Sequence, residues 1–529
     1  MCGLVVFEGK KSELADRGLR AQAIAHRGPD DIAEYIIDNI TFLFFRLAIM
    51  DLSPRGNQPF VGPQSETLVC NGEIYNFKTL KKNLTQYSYV SDSDCEVILP
   101  LYKEYGLRRC CELLDGEYAF VLYDPTTKKL MAARDSMGIR PLFMGFDQTG
   151  KRFFASEVKA LKAYCSKITP FPPGHYYDGE KLVCYKDLSI SEKFHSHTYE
   201  ETLFNIRTLF EKAVAKRLVS DASVAYLLSG GLDSSLVCSI ATRLSDKPLK
   251  TFAVGMEHDA IDLKYARQVA DFIGSDHEEI FMTREDVLTH LREVIYQLET
   301  WDITTIRASI GMFLLCKGIR KKGPYKVLLT GEVSDELFGY KYTDFAPTPQ
   351  AFQDEASKRI KELYLYDVLR ADRCLAAHSF EARVPFSDTA FVEYVMGIDP
   401  TLKMNTSGMG KFLLRKSFED ATHPYLPSEI LWRQKAAFSD AVGHSMVDDL
   451  KMYAENLYTD KEFLRRAAQF EHARPFTKES LLYREIFEEF YPGQAELIKD
   501  FWMPNKQWEG CNVSDPSARI LSNYGASGL

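Results

Sequence analysis

Up to about residue 185, the apolar positions of the chain gather in short runs. Leu4–Phe7, Thr67–Cys70, Tyr118–Tyr123 and Leu130–Ala133 are typical, and polar turn signals such as Asp124-Pro125 and Asp178-Gly179 separate them. This pattern predicts a β-rich N-terminal half. A polar stretch, Ser189–Glu201, reads as a linker leading into a helix over Leu203–Leu218. Beyond it the pattern changes. Val224–Leu228 is followed by a helical stretch from Leu236 to Leu244, Lys250–Met256 by another from Asp262 to Ile273, and Tyr325–Thr330 by a third beginning near Asp335. Strands alternating with helices predict a parallel sheet covered on both faces. Ligands then sit beyond the carboxyl ends of the strands, where Ser229–Ser235, Gly255–Asp262 and Gly331–Glu336 would line one edge. From about Glu355 the pattern is mostly helical, and the chain ends in a polar, loosely held tail after Trp508.

Composition narrows the field. A chain of 529 residues calls for two or three domains. The formal net charge of −9 argues against a nucleic-acid partner. No apolar stretch is long enough to span a bilayer, and the N-terminus lacks a signal-peptide pattern, so the expectation is a cytoplasmic protein with no membrane partner. Eleven cysteines at irregular spacing read as free thiols in a reducing compartment. His175, His195 and His197 are spaced too irregularly for a metal site and read as surface residues.

The strand Val224–Leu228 runs directly into Ser229-Gly230-Gly231-Leu232-Asp233-Ser234-Ser235. Two glycines between a strand and a helix start let backbone N–H groups approach an anion, and the helix dipole favours negative charge there. No Lys-Ser/Thr pair follows the glycines, so the loop is not a Walker A sequence. It carries Asp233 instead, suited to holding magnesium against a pyrophosphate. The loop resembles the signature of the PP-loop, or ATP-pyrophosphatase, family, whose members split ATP between the α- and β-phosphates to form adenylates. A second feature is Cys2. Once Met1 is removed, a cysteine at the chain start carries nucleophile and base together, because its own α-amine, of pKa about 7.7–8.0, accepts the thiol proton.

After Cys2 come His26-Arg27-Gly28-Pro29-Asp30, Arg46-Leu47-Ala48-Ile49, Asn71-Gly72-Glu73-Ile74-Tyr75-Asn76 and Ser93-Asp94-Cys95-Glu96. This series resembles the glutaminase half of class II (N-terminal nucleophile) glutamine amidotransferases. With the PP-loop half, the whole chain resembles the glutamine-hydrolysing asparagine synthetases. Gly138–Leu142, Leu369–Arg373 and Asp515–Arg519 bring it nearer the eukaryotic type. The resemblance implies a mixed α/β and α+β architecture: an Ntn-type αββα glutaminase sandwich over 2–187, a linker over 188–202, a PP-loop synthetase domain with a parallel sheet over 203–505, and a tail over 506–529. It implies glutamine, aspartate and ATP as substrates and magnesium as cofactor, and it leaves a homodimer open.

The resemblance also assigns residues. Cys2 is the nucleophile, with Asn71 and Gly72 as oxyanion donors. Arg46, Leu47, Ile49, Glu73 and Asp94 bind glutamine, Arg46 at its carboxylate and Asp94 at its ammonium. ATP is bound by Leu227, Ser229, Gly230, Gly231, Asp233, Ser234, Val254, Thr330 and Gly331, with Asp233 and Asp335 as magnesium ligands. Glu332 and Lys435 act in catalysis, and Arg383 faces aspartate or the adenylate. The family pattern around Glu332 resembles GEGSDE, so Val333 stands where a glycine is usual; Ser387 and Ala436 are further departures. Three other readings remain: a PP-loop synthetase acting on another carboxylate, such as a β-lactam-forming one; an amidotransferase of sugar-phosphate or phosphoribosyl type; and a non-catalytic sensor retaining the fold. Intact Cys2, Arg46, Asn71 and Asp94 count against the first, Ser229–Ser235 against the second, and complete chemical sets in both halves against the third.

Overall fold

The computed structural model describes residues 1–9, 20–258, 260–434 and 444–524. In the N-terminal half the strands are β1 (Gly3–Glu8), β2 (Asp31–Ile37), β3 (Ile40–Arg46), β4 (Phe60–Val61), β5 (Thr67–Ile74), β6 (Gly116–Asp124), β7 (Lys129–Arg134), β8 (Phe143–Phe146), β9 (Arg152–Ala155), β10 (Lys167–Pro170), β11 (His175–Tyr177) and β12 (Leu182–Cys184). They form two six-stranded antiparallel sheets, ordered β10-β8-β9-β1-β3-β2 and β12-β11-β7-β6-β5-β4.

Alternation along each strand builds the sandwich. Leu4 and Val6 of β1 and Phe42 and Phe44 of β3 face Val69, Ala119 and Val121 of the second sheet in one core. The alternate residues Val5, Phe7, Leu43 and Phe45 pack outward, in a cluster that continues through Val158 and Ala160 into C-terminal-half residues such as Leu298 and Trp301. On the outer face of the second sheet, Leu68, Phe120 and Leu122 pack against the helices Phe77–Asn83 and Ile98–Leu113.

The helix Tyr199–Arg217, started by a Thr198–Glu201 capping box, opens the second half. Its sheet is five-stranded and parallel, ordered β15-β14-β13-β16-β17, from β13 (Val224–Leu227), β14 (Lys250–Met256), β15 (Asp276–Met282), β16 (Val327–Leu329) and β17 (Glu381–Arg383). The chain enters at the central strand β13, leads outward to β15, then returns to β13's other side with β16. The order therefore reverses between β13 and β16, which is where ligands of such sheets bind.

Two strands escaped the sequence pattern. β15 (Asp-His-Glu-Glu-Ile-Phe-Met) is a polar edge strand, and β17 is three residues long with two charges. The tail also differs from expectation. Instead of lying loose, it docks on the body, burying Trp508, Cys511 and Leu521 with Tyr342 and Phe352. Ser387, at a departure position, accepts from Arg217 at 3.4 Å and donates to the Val384 carbonyl at 2.7 Å. Among the described residues no helix is long and apolar enough to cross a membrane. Lys435 and Ala436 lie outside the described residues.

Candidate active sites

In the glutaminase half, strand register assembles the site. β1 pairs with β3 with Gly3 opposite Phe45, so one step further Cys2 lies beside Arg46 and Leu47. The Leu47 N–H donates to the Cys2 Sγ at 3.4 Å, and the thiol donates to the Leu47 carbonyl at 3.6 Å. Burial pushes the thiol up to about 11 and the Met1 amine down to about 5, so with Met1 attached both groups are neutral at pH 7.

Asn71 is completely buried, and neither atom of its side-chain amide has a hydrogen-bond partner. A buried orphan amide costs about 1–3 kcal/mol, and a ligand that accepts from it repays that cost. Gly72 has φ +151°, and a Cβ there would lie 2.1 Å from the Glu117 carbonyl oxygen; only glycine lets β5 approach β6 so closely.

Arg46 is buried, and its guanidinium bonds go to neutral oxygens: the Ser53 carbonyl at 2.9 Å, the Met50 carbonyl at 3.3 Å, the Asp51 carbonyl and the Asn57 amide. These bonds fix the fork without neutralising it. Asp94 accepts from Ile74 N–H at 2.6 Å, and burial pushes its carboxyl up to about 6. Glu73 is raised well above the usual carboxylate range, by burial first and then by Asp94. A buried guanidinium held only by neutral oxygens suits a carboxylate, and a pair of crowded carboxyls suits an ammonium group; these are the two ends of an amino-acid head group. Ile49, in contrast, lies in the core, its carbonyl accepting from Asp221 and Ala222 at 3.1 and 3.2 Å.

In the synthetase half, the helix begins at Leu232, earlier than the apolar pattern suggested, so Asp233, Ser234 and Ser235 form its first turn. Gly230 has φ +73°, and a Cβ there would strike the Ala266 backbone nitrogen at 2.4 Å. Ser229 and Ser234 tie the loop, their hydroxyls 3.0 Å apart. One cavity is lined by Leu227, Ser229, Gly231, Asp233, Ser234, Val254, Thr330, Gly331 and Glu332, all brought together from the sequence reading. Gly230 adjoins it through its carbonyl, which accepts from Arg433 at 3.3 Å.

A second cavity shares Asp233, Gly331, Glu332 and Arg370 with the first and continues over Val333, Asp335, Glu336 and Asp367. Glu332 stands at the junction, paired with Arg370 at 2.9 Å. Glu336 is raised well above the usual carboxylate range by burial and then by Asp367 and Asp335. Val333 sits at φ +81° and is buried, a left-handed conformation that explains the glycine usual in the family pattern.

Asp233 and Asp335, a hundred residues apart, meet at one point. Lys411 Nζ lies 2.8 Å from both Asp233 carboxylate oxygens, 2.6 Å from Asp335 and 3.0 Å from the Ser334 hydroxyl. An all-oxygen set already gathered on a cation suits magnesium, which takes one or two carboxylates and completes its shell with phosphate and water. Among the described residues no group of three or more His, Cys, Asp or Glu side chains is arranged to hold a metal by itself.

Lys411, Arg415 and Arg433 all line the first cavity, and the motif reading missed them. The signal available was Gly408-Met409-Gly410-Lys411, glycines leading to a cation, far in sequence from the loop it serves. Arg383 corrects an expectation. It faces neither cavity; it is fully buried between the halves, paired with Glu73 at 3.1 Å and Glu381 at 2.9 Å, because those carboxylates compensate it there.

Comparison with known proteins decides the family. A glutamine amidotransferase domain model matches residues 1–175, and an asparagine synthase model matches residues 205–350 and 344–514. The chain belongs to the glutamine-hydrolysing asparagine synthetases. It is 41% identical over 564 aligned residues to asparagine synthetase [glutamine-hydrolyzing] of Homo sapiens, covering 99% of each chain. It is 42% identical to that of Gallus gallus over 564 residues, again 99% of each. With that of Zea mays it shares 40% over 560 residues, 99% of this chain and 94% of the plant protein. The family's two domains thus coincide with the antiparallel sandwich and the parallel sheet.

Proposed function

We propose that the chain makes L-asparagine from L-aspartate and ATP, using ammonia from L-glutamine, through a β-aspartyl-AMP intermediate, with AMP, pyrophosphate and glutamate as the other products. The observation that carries this reading is the convergence of Asp233 and Asp335 on one cationic point beside the Ser229–Ser235 loop. Family membership supports it, as does the Cys2, Asn71, Gly72 set in the other half.

In the glutaminase half, removal of Met1 gives Cys2 a free amine. The thiol proton passes to it, the thiolate attacks the glutamine amide carbon, and the oxyanion is received by Asn71 Nδ2 and Gly72 N–H; each donor contributes about 3–4 kcal/mol to the transition state. Collapse of the intermediate expels ammonia, and water then releases glutamate from the thioester. Arg46 and Asp94 hold the head group.

In the synthetase half, the loop amides and Lys411, Arg415 and Arg433 hold the phosphates, with Leu227 and Val254 beside the base. Asp233 and Asp335 would hold magnesium, which when bound neutralises charge on the departing pyrophosphate. The second cavity takes the acceptor. An ammonium group there relieves the crowding of Glu336 and Asp367, and Glu332, at the junction, takes a proton from the attacking ammonia. Lys435 is assigned to charge neutralisation at the phosphate. A sheltered route between the halves keeps ammonia unprotonated and unlost.

The test is product analysis with ATP, magnesium, aspartate and glutamine, expected to yield asparagine, glutamate, AMP and pyrophosphate in equal amounts. With 18O in the aspartate β-carboxylate, one labelled oxygen should appear in AMP. Label staying wholly out of AMP rules out the adenylate. Intact mass of active enzyme should lack Met1.

A further inference from the structure

We infer that the C-terminal segment Asp515–Leu521 is the outer wall of the acceptor cavity, and that its docking keeps water away from the activated acyl group. The inference rests on reading the second cavity as the acceptor site.

Pro516, Ser517 and Ala518 line that cavity together with Glu332 and Arg370. Asp515 anchors the segment. Its two oxygens lie 3.0 and 3.1 Å from the Arg307 guanidinium, and one of them 2.8 Å from Lys451 Nζ. Arg307 is itself a cavity residue, on the helix Ile303–Ile319; its Nε donates to Glu479 at 2.9 Å, and its Nη2, shared with Asp515, donates to Glu479 at 2.6 Å. Lys451 belongs to a different helix, His444–Leu457. Arg307 and Lys451 hold the Asp515 carboxyl well below the usual carboxylate range, despite its burial. Further on, Asn523 donates to the Lys341 carbonyl at 2.7 Å and to Asp344 at 2.9 Å, fastening the segment to the turn that follows Ser334–Phe338.

The segment therefore bridges two helices and, through the neighbouring Asn523, the turn Lys341–Phe345, and it does so mainly through charge-assisted bonds; within it, Pro516, Ala518 and Leu521 are the buried side chains. Such an attachment closes a site without belonging to its core. The chemistry needs a closed site. An acyl adenylate exposed to water reacts with it: the water oxygen bonds to the acyl carbon, the bond to the phosphate oxygen breaks, and the carboxylic acid and AMP are released with the water's protons shared between them. ATP is then consumed without asparagine. Excluding water at this point is what a wall contributes.

The experiment compares the full chain with Asp515→Asn and with a chain ending at Asn512, using ammonium as nitrogen donor. It reads KM for aspartate, KM for ATP and AMP released per asparagine. The shortened chain should show a KM for aspartate raised about tenfold or more and an AMP-to-asparagine ratio well above one, with KM for ATP changed less than about twofold. Asp515→Asn should move in the same direction by a smaller factor. Retained glutamine hydrolysis and unchanged thermal unfolding of Asp515→Asn report that the fold survives. If Asp515→Asn and the shortened chain lose rate while the aspartate KM and the one-to-one ratio stay as in the full chain, the segment is merely structural and the inference is overturned. If the full chain itself forms no asparagine from aspartate, the acceptor reading fails first and takes this inference with it.

Discussion

The two candidate sites of this chain solve opposite electrostatic problems. The candidate glutaminase site is built by sheet register within the first hundred residues, and its proposed nucleophile is a neutral thiol in a desolvated place. Its polar groups are only partly satisfied: the Asn71 amide is unbonded, and burial pushes the Glu73 and Asp94 carboxyls upward although Glu73 is paired with Arg383 and Asp94 accepts from Ile74 N–H. The synthetase site is built from loops at the ends of parallel strands, and its charges satisfy one another, with Lys411 locked onto Asp233 and Asp335. A site that handles an amide needs a few strong donors in a dry setting. One that handles a triphosphate needs many charges, and charges are buried at tolerable cost only when they are paired. Division of labour between independent sites is what the comparison asserts, and variants can break it.

The largest effect belongs to Cys2→Ala. Glutamine-dependent asparagine formation should vanish while ammonium-dependent formation stays near the parent rate, since alanine cannot form a thioester and the proposed ATP site lies in the other half. Residual glutamine use would refute the nucleophile, and loss of the ammonium reaction would refute the independence of the halves. Next in size is Asp233→Asn. Removing one carboxylate charge from the Asp233–Asp335 pair should lower pyrophosphate release about 10²–10³-fold while glutamine hydrolysis persists. Parallel loss of both activities would mean that the sites are not separable.

A pH titration sharpens the contrast. Asp94, pushed up to about 6, must be ionised to pair with an ammonium group. Below that pH its protonated form predominates, so the KM for glutamine should rise about fivefold between pH 6 and 5, while the KM for ammonium-dependent use of aspartate follows a different profile. A flat glutamine KM across that window would remove Asp94 from the head-group site. The smallest effect is expected at Val333→Gly. Losing a buried valine side chain costs about 1.5–3 kcal/mol, but relief of left-handed strain returns about 1–2 kcal/mol. Urea unfolding should therefore show a loss of no more than about 2 kcal/mol, less than a core Val→Gly change usually costs. A loss above about 3 kcal/mol would contradict the backbone at that residue.

Legibility followed the range of the physics. β14 was readable to the residue because it is apolar on both faces, whereas β15, at the edge, carries polar residues that mimic a loop. β17 was hidden because Arg383 and Glu381 are buried only by virtue of partners on other elements, Glu73 and Arg140. For the same reason the sequence points Arg383 at aspartate or the adenylate, whereas its charge is met at the interface by Glu73 and Glu381. The tail looked loose because its composition is polar, yet its anchors are cations on helices over fifty residues away.

The sequence by itself determined the two-part plan, the nucleophile candidate, the phosphate loop and the carboxylates beside it, since each is a local pattern in which neighbouring residues define the conformation. The tertiary structure alone decided that Lys411 joins Asp233 and Asp335, that Arg383 turns to the interface, and that Asp515–Leu521 closes a cavity. Each of these is a pairing of charges distant along the chain. Opposite charges are stable when buried only together, and which charges meet is settled by how the sheets and helices pack.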